Sequence, residues 1–175
     1  MRGSMVLFLI VTICVVVLYP LASAQEDLVA RTERCLQCIC LGSSKCDETT
    51  RCTDYGGDKA TGEVCGPFQI TQPYWEDAGK PGNDFLSCVN TRDCSETAII
   101  NYMEKFGKDC DGDGEVTCGD YARIHTAGIA ACDAPWVEFT PFWVAFNECD
   151  STPAAGQGRS GNEPRIETRA MLRTP

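Results

Sequence analysis

Apolar positions recur at helical spacing most plainly between Ser95 and Phe106, where Ile99, Tyr102, Met103 and Phe106 fall on one face. Ser95 can cap that helix and Gly107 can end it. A second helix is predicted from Thr117, whose hydroxyl can cap while Asp120 completes a capping box. It carries Tyr121, Ile124 and His125 and ends near Gly128. Pro135 suits the first position of a third helix, which Pro141 must break or restart before Phe142 to Phe146. Leu28 to Cys40 has helical spacing too. Between Cys46 and Ile70 the Gly, Thr and Asp content, with the pair Gly56-Gly57, predicts turns and a short hairpin. The chain shows no internal repeat.

The N-terminus has a different pattern. Arg2, an apolar run from Met5 to Leu18, Pro20 and the small triplet Ala22-Ser23-Ala24 have the layout of a secretory signal peptide, with cleavage expected after Ala24. The run is shorter than the roughly 20 residues a membrane span needs, and no stop-transfer charges follow, so no membrane insertion is expected after cleavage. A secreted, extracellular protein follows from this layout.

Of the 13 cysteines, Cys14 leaves with the signal. The twelve that remain are Cys35, Cys38, Cys40, Cys46, Cys52, Cys65, Cys88, Cys94, Cys110, Cys118, Cys132 and Cys149. An even number in an oxidising compartment predicts six disulfides, whose pairing the spacing leaves open. Zinc at Cys35-x-x-Cys38 is the rival reading, and a single histidine in the whole chain argues against it. Every mature cysteine lies in one stretch, so residues 25–150 are expected to form one domain. Residues 151–175, rich in Gly, Pro, Ser and Arg and without aromatics, are expected to be a disordered, solvated tail.

Charge narrows the partners. Residues 25–150 hold 10 Lys and Arg against 23 Asp and Glu, a net of −13, while the tail holds four Arg and two Glu. Nucleic acid is disfavoured, because a phosphate backbone calls for a cationic footprint. Polyanionic bacterial envelopes repel such a body near neutral pH, and acid or high salt would ease the approach.

A local acidic pattern also invites a metal. Asp109, Asp111, Asp113 and Asp120 stand at positions one, three, five and twelve of an EF-hand-like loop, with Gly114 at six. Calcium bracing two helices is one reading. A plain helix-connecting turn is the other, favoured because position twelve is a short Asp that already has a capping role and because Cys110 and Cys118 are expected in disulfides. No other cofactor is implied.

Two longer blocks carry a resemblance. CLQCICLGSSKC (Cys35 to Cys46) and CGPFQITQPYWEDAGKPG (Cys65 to Gly82), together with NYMEKFG and DYARIH, resemble the invertebrate-type lysozymes, the family that includes the destabilases. The resemblance covers about Cys35 to Cys149. It implies a small, disulfide-rich α+β domain, mainly helical with a short hairpin or sheet and a cleft. It also implies hydrolysis of β-1,4 bonds between N-acetylmuramic acid and N-acetylglucosamine in peptidoglycan, in defence or digestion.

Such hydrolysis needs two carboxyl groups roughly 5 to 5.5 Å apart in retaining enzymes, one protonated and one ionised. The family's proton donor is a glutamate three residues after the CxC pair, and that position here is Ser43. A hydroxyl holds its proton too tightly to serve. The partner carboxylate falls at Asp54, two residues after Cys52, with Asp58 as the alternative; either can equally be a turn former. Glu48 and Glu63 lie in neighbouring loops as substitute donors. The destabilases' isopeptidase activity, attributed to a serine and a lysine, loses its lysine because Thr71 follows Phe68-Gln69-Ile70. On the substrate side the resemblance implies Phe68, Gln69, Tyr74, Trp75 and His125, although core packing is the ordinary role for the aromatics. A member that kept the cleft but lost turnover would be a binder of peptidoglycan or chitin-like glycans.

Overall fold

The computed structural model describes residues 19–54 and 63–152. The apolar leader before Tyr19, the hairpin tip with Gly56, Gly57 and Asp58, and the tail from Pro153 lie outside the described residues. The first of the described helices, α1, spans Tyr19–Ser44, longer at both ends than the predicted Leu28 to Cys40. It ends where Lys45 and Cys46 take φ of 60° and 57°, their N–H groups returning to the carbonyls of Leu41 and Cys40. Left-handed residues are a common helix stop; neither Lys45 nor Cys46 has glycine's freedom, and the Cys40–Cys46 disulfide ties the second of them back to the helix.

A three-stranded antiparallel sheet follows in the order β1 (Thr53–Asp54), β2 (Glu63–Cys65), β3 (Ile70–Thr71). Its register pairs Thr53 with Val64, Asp54 with Glu63, Val64 with Thr71 and Cys65 with Ile70. The Cys52–Cys65 disulfide pins the base of the hairpin. Between β2 and β3 the chain turns at Gly66, whose φ is +71°. A Cβ there would stand 1.6 Å from the Val89 carbonyl oxygen, so the backbones meet only because the side chain is missing.

Helix α2 (Gln72–Asp77) starts from Thr71, whose hydroxyl accepts the Tyr74 N–H at 3.3 Å, with Pro73 in its first turn. Helix α3 (Phe85–Val89), capped by Asp84, has no counterpart in the predicted elements, because five residues are too few to display a period. Helix α4 (Arg92–Phe106) begins three residues before the predicted cap. Ser95 is therefore inside the first turn, fully buried, and its hydroxyl donates to the Val89 carbonyl at 3.0 Å. Helix α5 (Cys118–Ala127) has the predicted capping box, with Thr117 at the cap and Gly128 beyond the end. Pro135–Phe139 forms a 3-10 helix and Pro141–Ser151 forms α6. Pro141 thus starts a helix at its first position, where the missing N–H costs nothing.

All twelve predicted cysteines pair. Cys35–Cys118 and Cys38–Cys149 bind α1 to α5 and α6, while Cys88–Cys94 and Cys110–Cys132 close the other loops. Around α1 the core gathers Ile39, Phe68, Ile70, Val89, Ile99, Ile124 and Phe146, all nearly inaccessible to solvent. Such a small core gains much of its stability from cross-links that restrict the unfolded chain by a few kcal/mol each. Among the described residues no helix is long and apolar enough to cross a membrane.

Candidate functional site

Ser43 occupies the last turn of α1, where Gly42 lets α6 approach. A Cβ at Gly42 would stand 2.9 Å from the Phe142 ring. The Ser43 hydroxyl donates to the Ile39 carbonyl at 2.9 Å, one turn back. Its oxygen also lies 3.3 Å from His125 Nε2, and that nitrogen is 2.9 Å from the carbonyl oxygen of Phe68. A carbonyl only accepts, so Nε2 carries the ring proton. Nδ1 is then the bare nitrogen, buried and without a hydrogen-bond partner among the described residues.

Burial pushes the His125 pKa down to about 4, against the Phe68 bond, which favours the proton. The ring is therefore neutral at physiological pH. Because Nε2 already donates to Phe68, it cannot withdraw the Ser43 proton, which is committed to Ile39. Serine and histidine touch here, but not as a nucleophile and its base. Thr71, in the place of the destabilase lysine, is occupied as the α2 cap.

The substrate-side residues divide. Phe68 is fully buried and Trp75 nearly so, its indole N–H donating to the Pro81 carbonyl at 2.9 Å. Both pack the interior and offer no ring face to a sugar. Tyr74 stacks on Tyr102 with centroids 3.8 Å apart and stands edge-on to His125 at 5.6 Å. Its hydroxyl is buried without a hydrogen-bond partner among the described residues, and burial, aided by Tyr102, raises its pKa well above the usual tyrosine value. Gln69 takes φ of 53°, and its side-chain amide donates to the Gly66 carbonyl at 2.8 Å, which stabilises the turn below the site. Ser44 adds a bond from its hydroxyl to the Pro67 carbonyl at 2.7 Å. The structure thus brings Ser43, His125, Phe68 and Tyr74 together.

On the sheet, Asp54 is the register partner of Glu63. Glu63 is exposed, and its carboxylate lies within 4.8 Å of the sulfurs of Cys52 and Cys65, which are tied to each other and cannot ligate a metal. Glu48 is exposed in the turn after α1.

In the acidic loop, carboxylate oxygens of Asp109, Asp111 and Asp120 lie within 4.8 Å of one another, and Asp113 is not among that group. Asp109 accepts the N–H groups of Gly112 and Gly114 at 2.7 and 2.9 Å. Asp120 accepts those of Cys110 and Thr117, both at 2.7 Å, and the Thr117 hydroxyl. Burial opposes ionisation of Asp120, but these donors outweigh it and hold its pKa below the ordinary aspartate value. These backbone donors and the Thr117 hydroxyl account for the turn.

Glu63, Gln72, Pro73, Glu76 and Phe85 line a pocket of about 290 Å³. Gln72, Glu76 and Phe85 were not singled out from the sequence: Gln72 and Glu76 share only an i, i+4 spacing within a short helix, and Phe85 belongs to a separate five-residue helix.

The Destabilase family model matches residues 32–149. The chain belongs to this family, that of the destabilases and invertebrate-type lysozymes. This destabilase-family chain is 36% identical to a lysozyme of Magallana gigas over 103 residues, covering 58% of the chain and 69% of that protein. It is 30% identical to invertebrate-type lysozyme 6 of Caenorhabditis elegans over 130 residues, 70% of the chain and 86% of the relative. Among solved structures, the Tapes japonica lysozyme matches with a TM-score of 0.53 at 30% identity, covering 71% of this chain and 92% of that one. An inhibitor-bound lysozyme of Meretrix lusoria matches with a TM-score of 0.54 at 30% identity, covering 66% and 87%. The destabilase-family fold is the small disulfide-rich α+β architecture described above.

Proposed function

We propose that the protein is a secreted, non-catalytic member of the lysozyme family that binds peptidoglycan or a related β-1,4-linked hexosamine glycan and does not cleave it. The single observation that carries this reading is Ser43. It stands where the family's proton donor is implied, its hydrogen is held by the Ile39 carbonyl, and the histidine at its oxygen is neutral with its proton engaged elsewhere. A leaving sugar oxygen needs a proton, and losing a positioned acid costs about a factor of 100 to 10,000. Secretion is supported by the leader pattern and by six disulfides in the described chain.

Hydrolysis with Glu63 as donor is a second reading, favoured by its register opposite Asp54. Directly opposed positions of one sheet lie close enough for paired carboxyls. They also lie on one wall, whereas a donor and its partner must flank the bond.

The deciding experiment assays the purified mature protein on bacterial cell walls from about pH 4 to about pH 8, beside a pull-down on insoluble peptidoglycan. Retention without lysis, with lysis appearing in Ser43→Glu, is expected. Lysis by the unaltered protein that persists in Ser43→Ala and disappears in Asp54→Asn overturns the proposal. If that lysis also disappears in Glu63→Gln, the second reading replaces the first.

A further inference from the structure

The pocket between β2, α2 and α3 shares no lining residue with the Ser43 and His125 cluster, and its chemistry is distinctive. Phe85 supplies an aromatic wall, steadied from behind by Trp75 with ring centroids 5.8 Å apart. Gln72 supplies an amide, and Glu63 and Glu76 supply two carboxylates from different elements. Glu76 is partly answered by the Gln72 amide at 3.1 Å and by Lys80 at 3.7 Å, both through Oε1. Glu63 has no hydrogen bond or ion pair to its carboxylate among the described residues. At about 290 Å³ the pocket is at the small end of ligand sites, matched to one sugar ring and not to two.

We propose that this pocket binds a positively charged hexosamine, one ring of a β-1,4-linked glycan whose amine is free and not acetylated. The inference rests on the glycan-binding reading above and specifies the sugar. A free amine carries a proton and meets Glu63 and Glu76 as a counter-ion. The apolar face of its ring lies on Phe85, where a cation is also attracted by the ring's quadrupole, and the Gln72 amide serves a hydroxyl. An N-acetylated ring can use the aromatic wall and the amide but gives the carboxylates no counter-ion, leaving their partial desolvation uncompensated. Charge on the larger scale acts in the same direction. A body with a net of −13 over residues 25–150 draws a polycationic glycan towards it and repels a polyanionic one.

Calorimetric titration of the full mature protein with two oligosaccharides of equal length tests this, one fully de-N-acetylated and one fully N-acetylated. At low salt the de-N-acetylated chain is expected to bind about five-fold more tightly or better, consistent with two exposed charge pairs, and the preference is expected to shrink as salt is added. In the double variant Glu63→Gln, Glu76→Gln the preference should vanish, because the de-N-acetylated chain loses its counter-ions. Both carboxylates are exposed, and an unchanged melting temperature shows that the variant is folded. Equal affinity for the two chains overturns the inference and leaves the broader glycan-binding reading standing. A preference that survives in the double variant overturns the pocket assignment, because the body's overall charge would then suffice. Binding of neither chain overturns both.

Discussion

His125 joins four parts of the protein through one ring: Ser43 of α1, the Phe68 carbonyl, Tyr74 of α2 and Phe142 of α6, the last with centroids 5.8 Å apart. Its folded pKa of about 4 lies below the ordinary value of about 6.5 that it has in the unfolded chain, so the folded protein binds this proton less readily. Stability is therefore complete above about pH 6.5 and is lost as the pH falls towards about 4, by at most about 3 kcal/mol. Urea unfolding across that window should show the slope, and His125→Gln should flatten it. Asp120 acts in a separate, lower window. Its folded pKa is depressed, so its stabilisation is present above the ordinary aspartate value and disappears as the pH drops through the folded one.

Among the elements, the junction of the acidic loop with α5 depends most on one side chain. Asp120 is fully buried and satisfies the N–H groups of Cys110 and Thr117 as well as the Thr117 hydroxyl. Asp120→Ala leaves these donors without a partner and should cost about 3 kcal/mol in chemical denaturation, more than an ordinary exposed cap. Because the same bonds close the loop, neither added calcium nor a chelator should move the melting temperature. A rise with calcium would show Asp109, Asp111 and Asp120 acting as ligands instead. The 3-10 helix is held in a comparable way. Val137 enters the core and Glu138 pairs with Arg123, whose guanidinium lies 4.7 Å from the centre of the Trp143 ring. Trp136 and Phe139 are left outward, with Phe139 83% exposed.

For the whole molecule, the net of −13 over residues 25–150 governs encounters with any charged surface. Repulsion from a polyanionic wall acts over roughly 8 to 10 Å at ordinary ionic strength and contracts as salt rises. Retention on peptidoglycan-bearing walls should therefore increase with added salt and with acidification. A cationic surface patch used for binding would give the opposite salt dependence, and sedimentation with purified walls distinguishes the two.

Much of this architecture was legible in the chain itself. The capping box of α5 and the apolar face of α4 are local devices, so residues a few positions apart suffice to specify them. The family motifs likewise located Ser43, because a residue type at a counted distance from Cys40 needs no coordinates. The boundaries were less legible: Ser95 resembled a cap, but the Val89 carbonyl drew its hydroxyl inside, and α3 was too short to show a period. Nor could the chain assign the disulfide pairs, since Cys38 and Cys149 are separated by 111 positions. Only packing revealed that the His125 Nε2–H already donates to a carbonyl, that Trp75 faces inward, and that Glu63 and Glu76 share one pocket. Each of these depends on which atoms meet across distant segments, and the folded chain fixes that through burial and backbone hydrogen bonds that no local pattern records.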